Sequence, residues 1–71
     1  MHIANFERPL PCNEVGTLIF KDHCYALRRA DGAEMWLEMD RVPTHLIDQA
    51  VQIEGATYSQ NLICVDRIGP V

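Results

Sequence analysis

A chain of 71 residues has room for one domain, and one of this size buries only roughly 60% of the surface its unfolded form exposes, so a disulfide, a metal or a partner subunit commonly supplements the core. Hydrophobic residues at 48% and charged residues at 23% are the balance of a folding chain and exclude wholesale disorder. Six Lys and Arg against ten Asp and Glu leave a formal net charge of −4, which argues against a function built on neutralising phosphates.

No run approaches the ~18 apolar residues of a membrane span. The stretch from Met1 to Arg8 lacks the charged start and apolar run of a signal peptide, so the expectation is a cytoplasmic protein. Cys12, Cys24 and Cys64 make an odd set without a CxxC pair, which fits reduced thiols. Cys24 and Cys64 lie in strand-like runs and read as small hydrophobes of the core.

Residues 1–13 carry Pro9 and Pro11 around Leu10, a spacing that forbids regular helix and reads as an extended arm. Ile3, Phe6 and Leu10 make that arm apolar, so it is expected to lie on the domain or on a neighbouring subunit. The domain proper is expected over residues 14–71. Val15 to Phe20 is β-rich and apolar on both faces, as suits a first strand that bends between two sheets, with Gly16 permitting the bend. After the polar break Lys21-Asp22-His23, Tyr25 and Leu27 alternate with Cys24, Ala26 and Arg28 in a second strand. Ala30-Asp31-Gly32 is the strongest turn signal, and Met35, Leu37 and Met39 then alternate with Trp36 and Glu38 in a third.

Between Asp40 and Gln49 the period changes. Pro43 suits the first turn of a short helix in which Leu46 and Ile47 form the buried pair. Val51 and Ile53 mark a fourth strand, and Ile63 and Val65 a fifth beyond the turn Ser59-Gln60-Asn61. Ile68 shares a face with Val65 only if a bulge falls near Asp66-Arg67. Three strands, a helix and two strands is the element order of a five-stranded OB-type Greek-key barrel. An SH3-like barrel is the competing reading and differs in having a short 3₁₀ turn where the helix is placed.

The hairpin register decides where the only tryptophan points. A two-residue loop Asp31-Gly32 sets Leu27 opposite Trp36 and turns Met35, Leu37 and Met39 outward. A three-residue loop Ala30-Asp31-Gly32 with Gly32 left-handed sets Leu27 opposite Met35, Tyr25 opposite Leu37 and Arg28 opposite Glu34. The second exposes less apolar surface and is the expected one, with Trp36 outside the barrel beside Ala26.

The positions Gly16-Thr17-Leu18, Tyr25-Ala26-Leu27, Asp31-Gly32, Leu37-Glu38, Leu46-Ile47, Val51 to Gly55 and Leu62 to Ile68 resemble a family of short bacterial domains, number 5818 among the domains of unknown function. The resemblance covers about Val15 to Ile68 and implies an OB-like fold. It carries no catalytic residue across. Two positions depart from it: Met35 stands where members place a Trp, and Cys64 replaces an acidic residue of the last strand.

No nucleophile stands beside a base, and Glu34, Glu38, Asp40 and Asp66 are spaced as a solvated strand face, so no enzyme activity is expected and no catalytic residue is named. Cys12, His23, Cys24, His45 and Cys64 are donors zinc accepts, but their spacing is poor, and neither a metal nor another cofactor is expected. Nucleic-acid binding is the habitual association of OB folds, here through Lys21, Arg28, Arg29, Trp36 and Tyr58, and the interspersed Asp22, Glu34 and Glu38 disfavour it. The preferred reading is a protein-interaction or self-association module, a homo-oligomer or the companion of a protein partner, with weak single-strand binding as the alternative. Its expected interaction face comprises Trp36, Arg28, Tyr58, Phe6 and Leu10.

Overall fold

The turn at Ala30-Asp31-Gly32 sets the register from which the rest of the fold follows. Gly32 takes φ 88°, Arg29 N donates to Ala33 O at 2.8 Å, and Gly32 N donates to Arg29 O at 2.9 Å. These bonds enclose a three-residue loop, tied further by Ala33 N donating to Asp31 Oδ1 at 3.0 Å. Strands β2 (Cys24–Arg28) and β3 (Glu34–Glu38) therefore pair with Tyr25 opposite Leu37, Ala26 opposite Trp36, Leu27 opposite Met35 and Arg28 opposite Glu34. This is the register that hides Met35 and Leu37, and both are buried.

The computed structural model describes residues 5–71, with side chains described from Arg8 onward. The other strands are β1 (Asn5–Lys21), β4 (Ala50–Ser59) and β5 (Leu62–Pro70). They close in a ring in the order β1-β2-β3-β5-β4, antiparallel except where β5 lies parallel to β3. β1 runs unbroken from residue 5 of the proline-bearing stretch into the ring. Its first part pairs only with β4, from Asn5 opposite Ser59 to Thr17 opposite Ala50, and its last five residues pair with β2. At the changeover β1 and the end of β2 approach closely, since a Cβ on Gly16 would stand 2.5 Å from Arg28 O.

The ring fills from the inner residues of each strand: Leu18, Leu27, Leu37, Val51, Ile53 and Ile63 form one cluster with Met35 and Leu46. Two strands accommodate an extra residue. Gly55 pairs with Val65 and Glu54 with Arg67, so Asp66 is unpaired, and this bulge brings both Val65 and Ile68 against the core as their spacing requires. A second irregularity leaves Tyr58 between Thr57, opposite Ile63, and Ser59, opposite Leu62.

The helix expected between Asp40 and Gln49 is not formed. The segment holds a single 3₁₀ turn, Thr44–Leu46, followed by Ile47 in extended conformation and Asp48 at φ 67°. Of the expected pair, Leu46 is buried in the core and Ile47 is partly buried against it, so the link caps the ring without a helix. Its C-terminal end is held by β1 instead: Asp48 N donates to Leu18 O at 2.6 Å, and Leu18 N donates to Gln49 O at 3.1 Å. Chain that must reach β1 within two residues of the turn leaves no length for helical hydrogen bonding.

Candidate interaction face

On β3 the residues that alternate with Met35 and Leu37 are Glu34, Trp36 and Glu38, and they face out of the ring. Opposite Trp36 stands Ala26 on one side and Leu62 on the other, and beyond Ala26 lies Ile19. An apolar row thus crosses the outside of β1, β2, β3 and β5. Ile19 is 6% exposed and Ala26 1%, although neither belongs to the inner core cluster.

An ion-pair bridge joins the strands that flank them. Lys21 Nζ lies 2.6 Å from Glu34 Oε1, while Arg28 Nε and Nη2 donate to Glu34 Oε2 at 3.1 and 2.9 Å. Lys21 stands on β1 and Glu34 on β3, so their side chains reach across β2, whose middle outward residue is the small Ala26. The Lys21 hydrogen bond first and the Arg28 hydrogen bonds second hold the Glu34 carboxyl below the usual carboxylate range. Both cations of this face are therefore committed to one carboxylate, as the sequence pairing of Arg28 with Glu34 anticipates for Arg28.

Trp36 is half-buried, and its N donates to Asn61 O at 2.7 Å in the β4–β5 turn. One other expected residue adjoins that turn. Tyr58 is exposed on its β4 side, and Leu10 is exposed opposite Thr57, whose Oγ1 donates to Leu10 O at 3.3 Å. The side chain of Phe6 lies outside the described residues. Arg28 lies at the far side of Trp36 from this turn, locked in the ion-pair bridge. Trp36 and Leu62 thus stand side by side on the outer face next to the turn that Tyr58 adjoins, with Arg28 on the β2 side of Trp36, whereas Leu10 keeps the inward alternation of Cys12 and pairs with Thr57, opposite inward Ile63, on the other side of the sheet. Ile19, Lys21 and Leu62 were missing from the expected face. Lys21, named in the sequence as a break residue and as a cation of the alternative nucleic-acid face, reaches across β2 to Glu34, which only the closed sheet makes visible.

The cysteines are placed differently from the expectation. Cys24 begins β2 and is exposed, and Cys64 lies opposite Glu38 on the outward side, its Sγ 3.5 Å from Glu38 Oε1. Cys12, expected on the arm, is the thiol that packs against the core, because it keeps the inward alternation of Leu18 along β1. Burial first and the Glu14 charge second push the Cys12 thiol up, and burial together with the Glu38 hydrogen bond does the same to Cys64. Among the described residues no group of three or more His, Cys, Asp or Glu is placed to hold a metal ion, and the five zinc-type donors are dispersed.

A shallow groove of ≈ 580 Å³ lies over β1, β4 and β5, lined by residues including Cys12, Glu54, Asp66 and Arg67. No helix among the described residues is long and apolar enough to cross a membrane. A family model described as "Protein of unknown function (DUF5818)" matches residues 15–71. No curated protein and no solved structure matches the chain.

Proposed function

The chain belongs to the DUF5818 family of proteins of unknown function, and from its geometry we propose a non-enzymatic protein-interaction module of OB-like Greek-key architecture that self-associates through the rim around Trp36. The 3₁₀ turn at Thr44–Leu46 is the feature of the SH3-like alternative, so the OB reading rests on strand order instead: β1 to β3 run as a meander, β4 returns beside β1 over the long link, and β5 fills the gap between β3 and β4. The single observation that carries the association is the placement of exposed Tyr58 at the β4–β5 turn beside half-buried Trp36 and Leu62 on the outer face, in a chain whose buried hydrophobic core is small.

Protein is favoured over nucleic acid because Lys21 and Arg28 are both bound to Glu34 beside the tryptophan. Binding is favoured over catalysis because the groove over β1, β4 and β5 is open to water, where charged groups gain little from preorganisation. Dilution tests the reading. As an associated species dissociates, Trp36 emission is expected to move to the red and become quenchable by iodide. An emission spectrum independent of concentration from micromolar to millimolar chain would overturn it.

A further inference from the structure

We propose that the β1–β2 turn is a docking site for an arginine-bearing peptide segment of a partner protein, on a surface separate from the Trp36 rim. The turn consists of Asp22 and His23, and both take left-handed φ, 53° and 63°. This is the two-residue hairpin geometry for which glycine and asparagine are the relaxed choices. Holding two non-glycine residues there costs conformational energy, and such outliers concentrate where a side chain must be kept in one place.

Three aromatic rings surround the tip. Phe20 pairs with Tyr25 across the strands, their ring centroids 5.0 Å apart and tilted by 52°. The His23 ring stands edge-on to Phe20 at 6.4 Å and 82°. Phe20 continues the inward alternation of Leu18, yet it is 52% exposed, because two residues past Leu18 it has run beyond the end of the ring. The inclined rings of Tyr25 and His23 brace Phe20 from two sides, so its exposed ring needs little ordering on binding.

Charge selects the partner. Two kinds of planar group stack on such a surface, a nucleobase and a guanidinium. A nucleobase arrives with phosphates, and the cation flanking this turn, Lys21, is held by Glu34 at 2.6 Å. Carboxylates remain. Asp22 stands at the tip, and the backbone hydrogen bond from Asp48 to Leu18 brings a second acid to the same end of the ring. Among the described residues neither aspartate takes part in an ion pair. A guanidinium can stack on Phe20 and pair with a carboxylate at once, whereas a lysine ammonium offers no planar face. The net charge of −4 steers a basic segment toward the protein.

The test is a nitrogen–proton correlation titration of the full chain with a hexapeptide of alternating glycine and arginine, its lysine counterpart, and a thymidylate oligonucleotide. Saturating shifts confined to residues 20–25 and 47–49 are expected with the arginine peptide. Binding should weaken at least about three-fold for the lysine peptide and for Asp22→Asn, which retains a residue tolerant of left-handed φ, and should be lost in Phe20→Ala. Equal affinity for the two peptides, tighter binding of the oligonucleotide, shifts centred on Trp36, or no shift at millimolar arginine peptide would each overturn the proposal. Because the readout is residue by residue, failure here is distinguishable from failure of self-association at the Trp36 rim.

Discussion

Trp36 lies directly opposite Ala26 in the β2–β3 pair, which puts the chain's one tryptophan on the side of the sheet away from Met35 and Leu37. Neighbours in sequence thus have opposite energetic roles. Leu37→Ala is expected to cost about 2–5 kcal/mol, the range for emptying a buried leucine site. Trp36→Ala in dilute protein should cost less, about 1 kcal/mol, because it removes half-buried outer surface. Urea unfolding of both variants checks the order, and a costlier Trp36→Ala would contradict the register.

The Glu34 bridge makes a small, pH-bounded contribution. Its carboxyl is held below the usual range by Lys21 and then Arg28, so the stabilisation is complete above the pKa of the unfolded chain's carboxyl and is lost as pH falls through the lower folded-state value. The difference in urea midpoint between wild type and Glu34→Gln should therefore be present at neutral pH, shrink in acid, and shrink also in concentrated salt. A difference that grows on acidification would have the wrong sign.

Two glycines of the β4–β5 sheet should respond in opposite ways to alanine. A Cβ on Gly55 would collide with the backbone oxygen of Cys64, while a Cβ on Gly69 meets nothing within 4 Å. Gly55→Ala is expected to lower stability by about 1–3 kcal/mol or more, as overpacking does. Gly69→Ala should be neutral or slightly stabilising. Thermal melts of the two variants decide it.

Thiol labelling should separate the cysteines. Cys24 is exposed, whereas burial and nearby carboxylates push the thiols of Cys64 and Cys12 up, and Cys12 packs against the core. Labelling near neutral pH followed by mass mapping is expected to modify Cys24 first and Cys12 last. Early modification of Cys12 would mean that the β1–β4 pairing opens readily.

The strands were legible because alternation and turn chemistry agreed. Gly32 demanded left-handed backbone, and only the three-residue loop hid both Met35 and Leu37. The bulge at Asp66 was legible for a similar reason, since Val65 and Ile68 cannot otherwise share a face. The link from Asp40 to Gln49 misled because Pro43 and the Leu46-Ile47 pair satisfy a helical turn and a 3₁₀ turn equally, and what decides is the tie of Asp48 to Leu18, a contact thirty residues away in sequence. Cys24 and Cys64 misled because a free thiol in a strand run has no signature for facing. Arg28 was correctly neutralised by Glu34, but the arrival of Lys21 at the same carboxylate depends on sheet curvature that no local pattern encodes.

The central claim is association through the rim of Trp36, Leu62 and Tyr58, and sedimentation equilibrium tests it most directly. At high concentration the wild-type chain is expected at about twice the 8.1 kDa of one copy, dissociating on dilution. Trp36→Glu and Tyr58→Glu should each shift that equilibrium toward the single chain while leaving the β-rich circular dichroism spectrum intact. A wild-type mass of one copy at every concentration, or an assembly indifferent to both substitutions, would contradict the account.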